Sequence, residues 1–432
     1  MNFHSQRSLL HNELHARPRP PLAAPHRMSM IALLRPKGAP ADSLAPLLAL
    51  CRNYQIAGPS PEQSHFFGDF GSFRLKWERH GEFDDYTVYR SGADPANPFA
   101  QPAIEALPQG WAASLPGECI AAAHVTLLGE AADESQRMPP PLAFDSDRLV
   151  GAAIGDSSTR VFTDLQLDAQ GFARFLFLDM TMSATHAGRE VQRLLDIDMY
   201  RMMAMLAFPI ARETAGELDQ IERQLSSLAQ RLETARPADE PALLGEVTHL
   251  AAMIERLAGE SSFRFSAARA YHALVRQRGT ELREVRLPGV QTLTGFLDRR
   301  FGPAMAYCES VASRIDSAAQ RVARASSLLR TRVEIEREAQ NQAMLATMNR
   351  RAHLQLRLQE TVEGLSVAAI TYYAAGLFGY LMKAGKGAGL AINPDLATGL
   401  AVLPIALGVA LAIRHMRRAI LRRIEPGAAL DP

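Results

Sequence analysis

Cysteine is scarce in this chain of 432 residues, which holds only Cys51, Cys119 and Cys308. No pair has the close spacing of a zinc or thioredoxin motif, and an odd, scattered set suits a reducing compartment. That argues for a cytoplasmic body. An excess of one charge is missing too: 47 Lys and Arg stand against 46 Asp and Glu, a formal net charge of +1. Aromatic residues make up 7%, with no aromatic–basic stretch of the kind that stacks on RNA bases. Nucleic acid is therefore not an expected partner. Met1 to Pro25 contains His, Arg and Pro but no apolar run, so no signal peptide is expected.

What the chain does have is 47% hydrophobic beside 22% charged residues, enough for a buried core and two or three domains. A mean hydropathy of -0.08 hides two uncharged apolar segments. GLSVAAITYYAAGLFGYLM covers 364–382 and LATGLAVLPIALGVALAI covers 396–413. Each approaches the about 17–25 residues that a bilayer-spanning helix needs. Pro404 in the second is tolerated where neighbouring helices satisfy the freed carbonyl. Gly364, Ala368, Ala375, Gly376 and Gly379 would let spans pack closely. The connection over 383–395 has turn chemistry, with Gly385, Gly387, Gly389, Asn393 and Pro394.

Orientation follows from the flanks. Arg350, Arg351 and Arg357 precede the first span, and Arg414, Arg417, Arg418, Arg422 and Arg423 follow the second. The connection holds only Lys383 and Lys386. Basic residues gather on the cytoplasmic side, so both termini are expected in the cytoplasm and the connection in the periplasm. The expected location is a bacterial inner membrane, crossed twice, with the lipid bilayer as a partner.

No proline occurs between Pro303 and Pro394, and no glycine between Gly302 and Gly364. Pro303 suits a helix start. Val311, Ile315, Val322, Leu329 and Val333, completed by Ala318 and Ala325, form a narrow, coiled-coil-like seam. The pattern predicts one nearly continuous helix from Pro303 to Met382, a stalk over 302–363 running into the first span. Such a helix needs neighbours in water. Farther on the stripe turns polar: Gln340, Met344, Thr347, Arg351 and Leu354, beside Asn341 and Asn349. Near a membrane this composition can line an aqueous path in an oligomer, although a solvated helix face is its commoner use. Glu363, at the membrane entrance, reads either as a cation-attracting ring in a symmetric assembly or as a carboxylate in the headgroup zone.

Before the stalk, the chain reads as an extended arm over 1–27, an α+β cytoplasmic domain over 28–209 and a helical segment over 210–301. A basic tail covers 414–432. Phe73 to Arg90 alternates as a hairpin around Gly81, and strands are expected over 119–128, 149–154, 160–167 and 172–180. The sheet should be mainly antiparallel. His186 to Phe208 has helical periodicity, with Pro209 marking an end or a kink. Further helices are expected over 213–234, 243–257 and 263–278, and 282–301 should reverse the chain.

Candidate chemistry is thin. His11 and His15 flank Glu13 in HNELHARP, a spacing that places two imidazoles on one helix face as metal ligands need. It is not the zincin arrangement, no third ligand is indicated, and docking or packing is the commoner use. GAAIGDSS over 151–158 lacks the phosphate-loop lysine and does not match the dinucleotide fingerprint. No nucleophile elbow is present. Asp196 and Asp198 are expected to be solvated acids. No enzymatic activity and no cofactor are expected.

NELHARP over 12–18, LLRTRVEIEREAQNQAML over 328–345 and RRAHLQLRLQETVEGLSVAAITYYAAGLFGYL over 350–381 resemble an uncharacterised family of predicted bacterial membrane-anchored proteins. The resemblance covers nearly the whole chain and implies membrane anchoring, with no activity or site attached. A looser architectural similarity is to CorA-type magnesium channels, which also join a cytoplasmic α/β domain to a long helix and two C-terminal spans. GYLMKAG over 379–385 stands where those channels carry Gly-Met-Asn. The expected function is an oligomeric ion channel or transporter with a divalent cation as cargo, or else a membrane scaffold or sensor that recruits an unidentified protein. A homo-oligomer is expected because a two-span protomer cannot enclose a pore alone.

Overall fold

The computed structural model describes residues 3–7, 11, 19–36, 44–129, 137–140, 143–178, 181–387 and 393–424, with side chains through Met416. The chain divides into two units, Met1–Leu329 and Arg330–Pro432.

The first unit is built on a nine-stranded sheet of order β2-β3-β4-β1-β5-β8-β7-β6-β9. The strands are β1 (His26–Leu34), β2 (His65–Asp69), β3 (Arg74–Arg79), β4 (Phe83–Ser91), β5 (Glu118–Leu127), β6 (Val150–Ile154), β7 (Thr159–Thr163), β8 (Ala173–Leu178) and β9 (Val285–Arg286). The described neighbours pair antiparallel, except that β5 and β8 run parallel. The hairpin around Gly81 forms as β3–β4. β1, β2 and the helix α1 (Ala45–Asn53) were not anticipated from sequence. β1 occupies the middle of the sheet, between β4 and β5. That is why it reads HRMSMIALL, apolar on both faces, and shows no alternation.

Period-two geometry sends successive side chains to opposite faces. Ile31, Leu33, Leu75, Trp77, Tyr86 and Val88 lie in a core with Leu47 and Leu50 of α1. Met28, Met30, Ala32, Phe83 and Tyr89 point the other way, into a core shared with the long helices. Those helices are α2 (Ala184–Met205), α3 (Ala207–Thr234), α4 (Glu240–Leu282) and the start of α5 (Leu293–Gly387). Ser183 caps α2, its hydroxyl accepting from His186 N at 3.4 Å. A single turn residue, Leu206, separates α2 from α3, and its φ of -58° and ψ of -22° are still helical. Pro209 sits in the first turn of α3, where its missing N–H deprives no carbonyl of a partner.

Leu218, Ile221, Leu225 and Leu228 of α3 share one core with Leu243, Val247, Leu250 and Ile254 of α4 and with Val311, Ile315, Ala318, Val322 and Leu329 of α5. Spacings of three and four keep each set on one helix face. Arg314 of α5 ties the seam to α3, donating to Asp219 at 2.5 Å and to Glu222 at 2.7 Å. α5 begins at Leu293, well before Pro303, which lies inside the helix. Glu284 explains the early start. Its carboxylate accepts from Leu293 N at 3.1 Å and Thr294 N at 3.0 Å, satisfying first-turn donors.

In the second unit, the remainder of α5 and α6 (Pro394–Ile424) contain apolar windows long enough to cross a membrane. The window in α5 is 11% buried and that in α6 is 0% buried, unlike the core helices of a soluble fold. A side chain added at Gly379 would lie 3.3 Å from Thr398, so the helices approach each other closely there.

Candidate functional site

The densest polar chemistry among the described residues lies between the sheet and α2. Alternation on β3 places Lys76 and Glu78 on the helix-covered face, and the register sets Glu78 opposite Asp85 and Lys76 opposite Thr87 on β4. Lys76 Nζ donates to Glu78 Oε2 at 2.9 Å and to Gln192 Oε1 of α2 at 2.7 Å. Gln192 Nε2 donates to Asp196 Oδ1 at 2.8 Å, and Arg278 of α4 donates to Asp196 Oδ2 at 3.1 Å. Glu78, Asp85 and Asp196 are only 7%, 2% and 7% exposed. The expectation that Asp196 and Asp198 are solvated is therefore overturned: α2 turns both inward, and Asp198 pairs with Arg201 at 2.6 Å.

Beside this row, His80 Nε2 lies 2.8 Å from Asp85 Oδ1. One ligand atom each from Glu78, His80 and Asp85 falls within 4.8 Å of the other two, a grouping able to hold a metal ion. The His80 ring stacks on Phe83 with centroids 4.3 Å apart and meets Tyr200 of α2 edge-on at 6.4 Å. Tyr200 stacks in turn on Tyr271 of α4, whose hydroxyl donates to Glu82 at 3.0 Å. Burial penalises the Lys76 ammonium, but the facing Tyr89, Asp85 and Glu78 outweigh that, and its pKa lies above the ordinary lysine value. Burial pushes the Asp196 carboxyl up, against the pull of Gln192, Lys76 and Arg278.

A second polar trio lies on the opposite face. Ser29 of β1 accepts from Ile104 N at 3.1 Å, and its hydroxyl lies 2.9 Å from His124 Nδ1 of β5. The other ring nitrogen of His124, Nε2, lies 3.9 Å from Asp168 Oδ2. His124 stacks on Phe172 at 4.0 Å, and burial lowers its pKa to about 4. These are the residue types of a hydrolytic triad, but Ser29 is 0% exposed in a central strand and cannot meet a substrate.

The residues singled out from sequence lie elsewhere. His11 is exposed, and His15 lies outside the described residues. Gln340, Asn341, Met344 and Thr347 are exposed on α5, and Glu363 is half-buried. Gln340 donates to Glu336 at 3.2 Å and Thr347 to the Ala343 carbonyl at 2.9 Å. Arg350, Arg351, Arg357 and Arg414 are exposed, while the side chains of Arg417 and Arg418 lie beyond those described. Near the C-terminal end of α5 an open cleft of about 720 Å³ separates it from α6, lined among others by Tyr373, Tyr380, Lys383, Asp395 and Thr398. The buried row at Lys76 and Glu78 went unseen in the sequence because RLKWER reads equally as a strand with one face in water. The one available signal was the set of polar residues on α2, Gln192, Asp196 and Tyr200, at the helical spacing of four that puts them on one face.

No curated protein and no solved structure matches this chain. A family model does match, over residues 2–420, and the long stretches that resembled a membrane-anchored family fall inside it. The chain belongs to the family described as Protein of unknown function (DUF3422).

Proposed function

We propose that the protein assembles as a homo-oligomer around α5 in a bacterial inner membrane and conducts ions, with its α/β unit and both termini in the cytoplasm. One observation carries this reading. A single helix, Leu293–Gly387, is buried in the core at Val311, Ile315 and Val322 and ends in an apolar stretch able to span a bilayer. Between these parts it keeps one stripe exposed: Gln340, Met344, Thr347, Arg351, Leu354 and Leu358. A stripe at alternating spacings of three and four is the seam that parallel copies of one helix bury against each other. The copies would bring Gln340 and Thr347 around a common axis above the spans, where polar groups can pass a cation. The similarity to CorA-type channels rests on element order alone, and the missing Gly-Met-Asn argues against magnesium selectivity.

The arginine distribution supports the orientation, since the exposed Arg350, Arg351, Arg357 and Arg414 all flank the spans on one side. The test is ion flux into proteoliposomes holding the purified full chain, with Gln340→Ala/Thr347→Ala as the comparison. Flux reduced in the double variant supports conduction. A clean monomer in mild detergent, or no flux under several cation gradients, sinks it and leaves the second reading: a non-transporting scaffold or sensor.

A further inference from the structure

We propose that Glu78, His80 and Asp85 form a binding site for one divalent first-row transition-metal ion, of the zinc or manganese class, inside the cytoplasmic unit. Three observations lead to it.

The first is geometry. A carboxylate oxygen of Glu78, a ring nitrogen of His80 and a carboxylate oxygen of Asp85 all lie within 4.8 Å of one another. His80 Nε2 and Asp85 Oδ1 are 2.8 Å apart, so a small opening brings them to the separation of about 3.0–3.4 Å that adjacent ligands have when each metal–ligand bond is about 2.1 Å. A small closing movement of Glu78 completes the set. Its backbone is held opposite Asp85 by the β3–β4 register, so the side chain alone has to turn.

The second is charge. Glu78, Asp85 and Asp196 converge here and connect through Arg278 and Arg193 to Glu281 and Glu190. The permanent cations within that connected layer are Lys76, Arg193 and Arg278. Arg201 and Arg264 are taken by Asp198 and Glu82. Carboxylates thus outnumber permanent cations. Cross-strand neighbours of like charge such as Glu78 and Asp85 are destabilising, and the Lys76 ammonium that faces both brings one positive charge against two negative ones. Each of the two histidines in the layer is paired with a carboxylate: His80 with Asp85 at 2.8 Å, and His186 with Glu190 at 3.1 Å. One Glu190 oxygen, Oε2, is buried without a hydrogen-bond partner. A divalent ion at Glu78, His80 and Asp85 removes the imbalance.

The third is surroundings. Phe83 and Tyr200 fix the His80 ring from its face and its edge, as outer-shell groups fix a ligating imidazole. The His80 side chain is 11% exposed at the turn end of the hairpin, which leaves an entry path. Two carboxylates and one imidazole suit a borderline ion, whereas magnesium prefers an all-oxygen set with retained water.

The test is equilibrium dialysis and calorimetry of the untagged full chain in detergent after chelation, titrated with Zn²⁺ and, for electron paramagnetic resonance, Mn²⁺. One ion per chain is expected. Glu78→Gln, His80→Asn and Asp85→Asn should each weaken binding at least tenfold, while His11→Ala/His15→Ala and the exposed Glu246→Gln should leave it unchanged. Wild type should gain thermal stability on metal addition, and the three variants should not. Circular dichroism in chelator shows whether each variant is folded. Should one fail to fold, the nitrogen hyperfine coupling of an imidazole to Mn²⁺ in wild type, absent from folded His80→Gln, decides the same point. Binding unaltered by all three substitutions, binding lost only in the His11/His15 variant, or Mg²⁺ displacing Mn²⁺ at equal concentration overturns the proposal.

Discussion

Lys76 Nζ sits 2.9 Å from Glu78 Oε2 in a layer from which water is almost excluded, the two side chains being 5% and 9% exposed. The pair lies between a sheet and a helix that would otherwise meet through apolar contacts. Removing one member of a buried pair leaves a bare charge and typically costs about 3–5 kcal/mol, whereas removing both costs much less. Lys76→Met in chelator should therefore lower the stability of the first unit by about that amount. Lys76→Met/Glu78→Gln should recover a large part of it. Denaturant unfolding followed by tryptophan fluorescence reads both, since Trp77 is buried in the same strand. A double variant no more stable than Lys76→Met would mean that the pair does not act as a unit.

The same layer marks the limit of what could be read from the residues. The α+β body, the β3–β4 hairpin and strands β5, β6 and β8 were legible because alternation and turn residues coincide there. β1 was missed because a strand buried on both faces shows no period, and β2 because HFFGD is too short to establish one. For α4 the sequence pattern predicts separate helices over 243–257 and 263–278. The structure runs Glu240–Leu282 unbroken through Gly245 and Gly259, since packing on α3 offsets the cost of glycine in a helix. Polar residues on a strand say nothing by themselves about what covers them. Lys76, Glu78 and Asp196 became a site only when α2 was laid across the sheet.

His124 gives the unit a dependence on pH. Its folded-state pKa of about 4 lies below the ordinary 6.5, chiefly through burial and despite Asp168. The unfolded chain thus takes up this proton first. The contribution is fully present above about pH 6.5 and is lost as pH falls towards 4. His26, lowered to about 4 by burial, Arg74 and Arg27, acts in the same direction. His124→Asn should be less stable than wild type at pH 7.5, and the gap should narrow as pH is lowered to 4.5. Parallel stability curves for the two proteins over that range would rule out a role for His124.

Helix α5 carries two kinds of apolar residue, and they should respond differently. Ile315 is 4% exposed within the core of α3, α4 and α5, so Ile315→Ala should cost about 2–5 kcal/mol of the first unit's stability. Leu358 is 67% exposed, and Leu358→Ala should leave that unit's stability within about 0.5 kcal/mol. Leu358→Asp should instead shift the assembly towards monomer in crosslinking and light scattering, as a charge inside the proposed seam demands. An oligomer indifferent to Leu358→Asp would place its contacts elsewhere.

Arg314 has two acidic partners, and they hold its guanidinium pKa above the ordinary value through hydrogen bonds to Glu222 and Asp219, against a small loss from burial. Taken alone, that shift suggests a large contribution to the α3–α5 seam. Solvent argues otherwise: the side chains of Arg314, Asp219 and Glu222 are 34%, 52% and 31% exposed, and exposed pairs contribute roughly 0.2–1 kcal/mol. The apolar seam beneath, at Ile315 and Val322, does most of the holding. Arg314→Ala should therefore cost about 1 kcal/mol at low salt and about half that at 0.5 M NaCl, where screening is short-ranged. Denaturant midpoints at the two salt concentrations measure the difference. A loss above about 2 kcal/mol that salt does not reduce would instead make Arg314 the anchor of the seam and Ile315 its accessory.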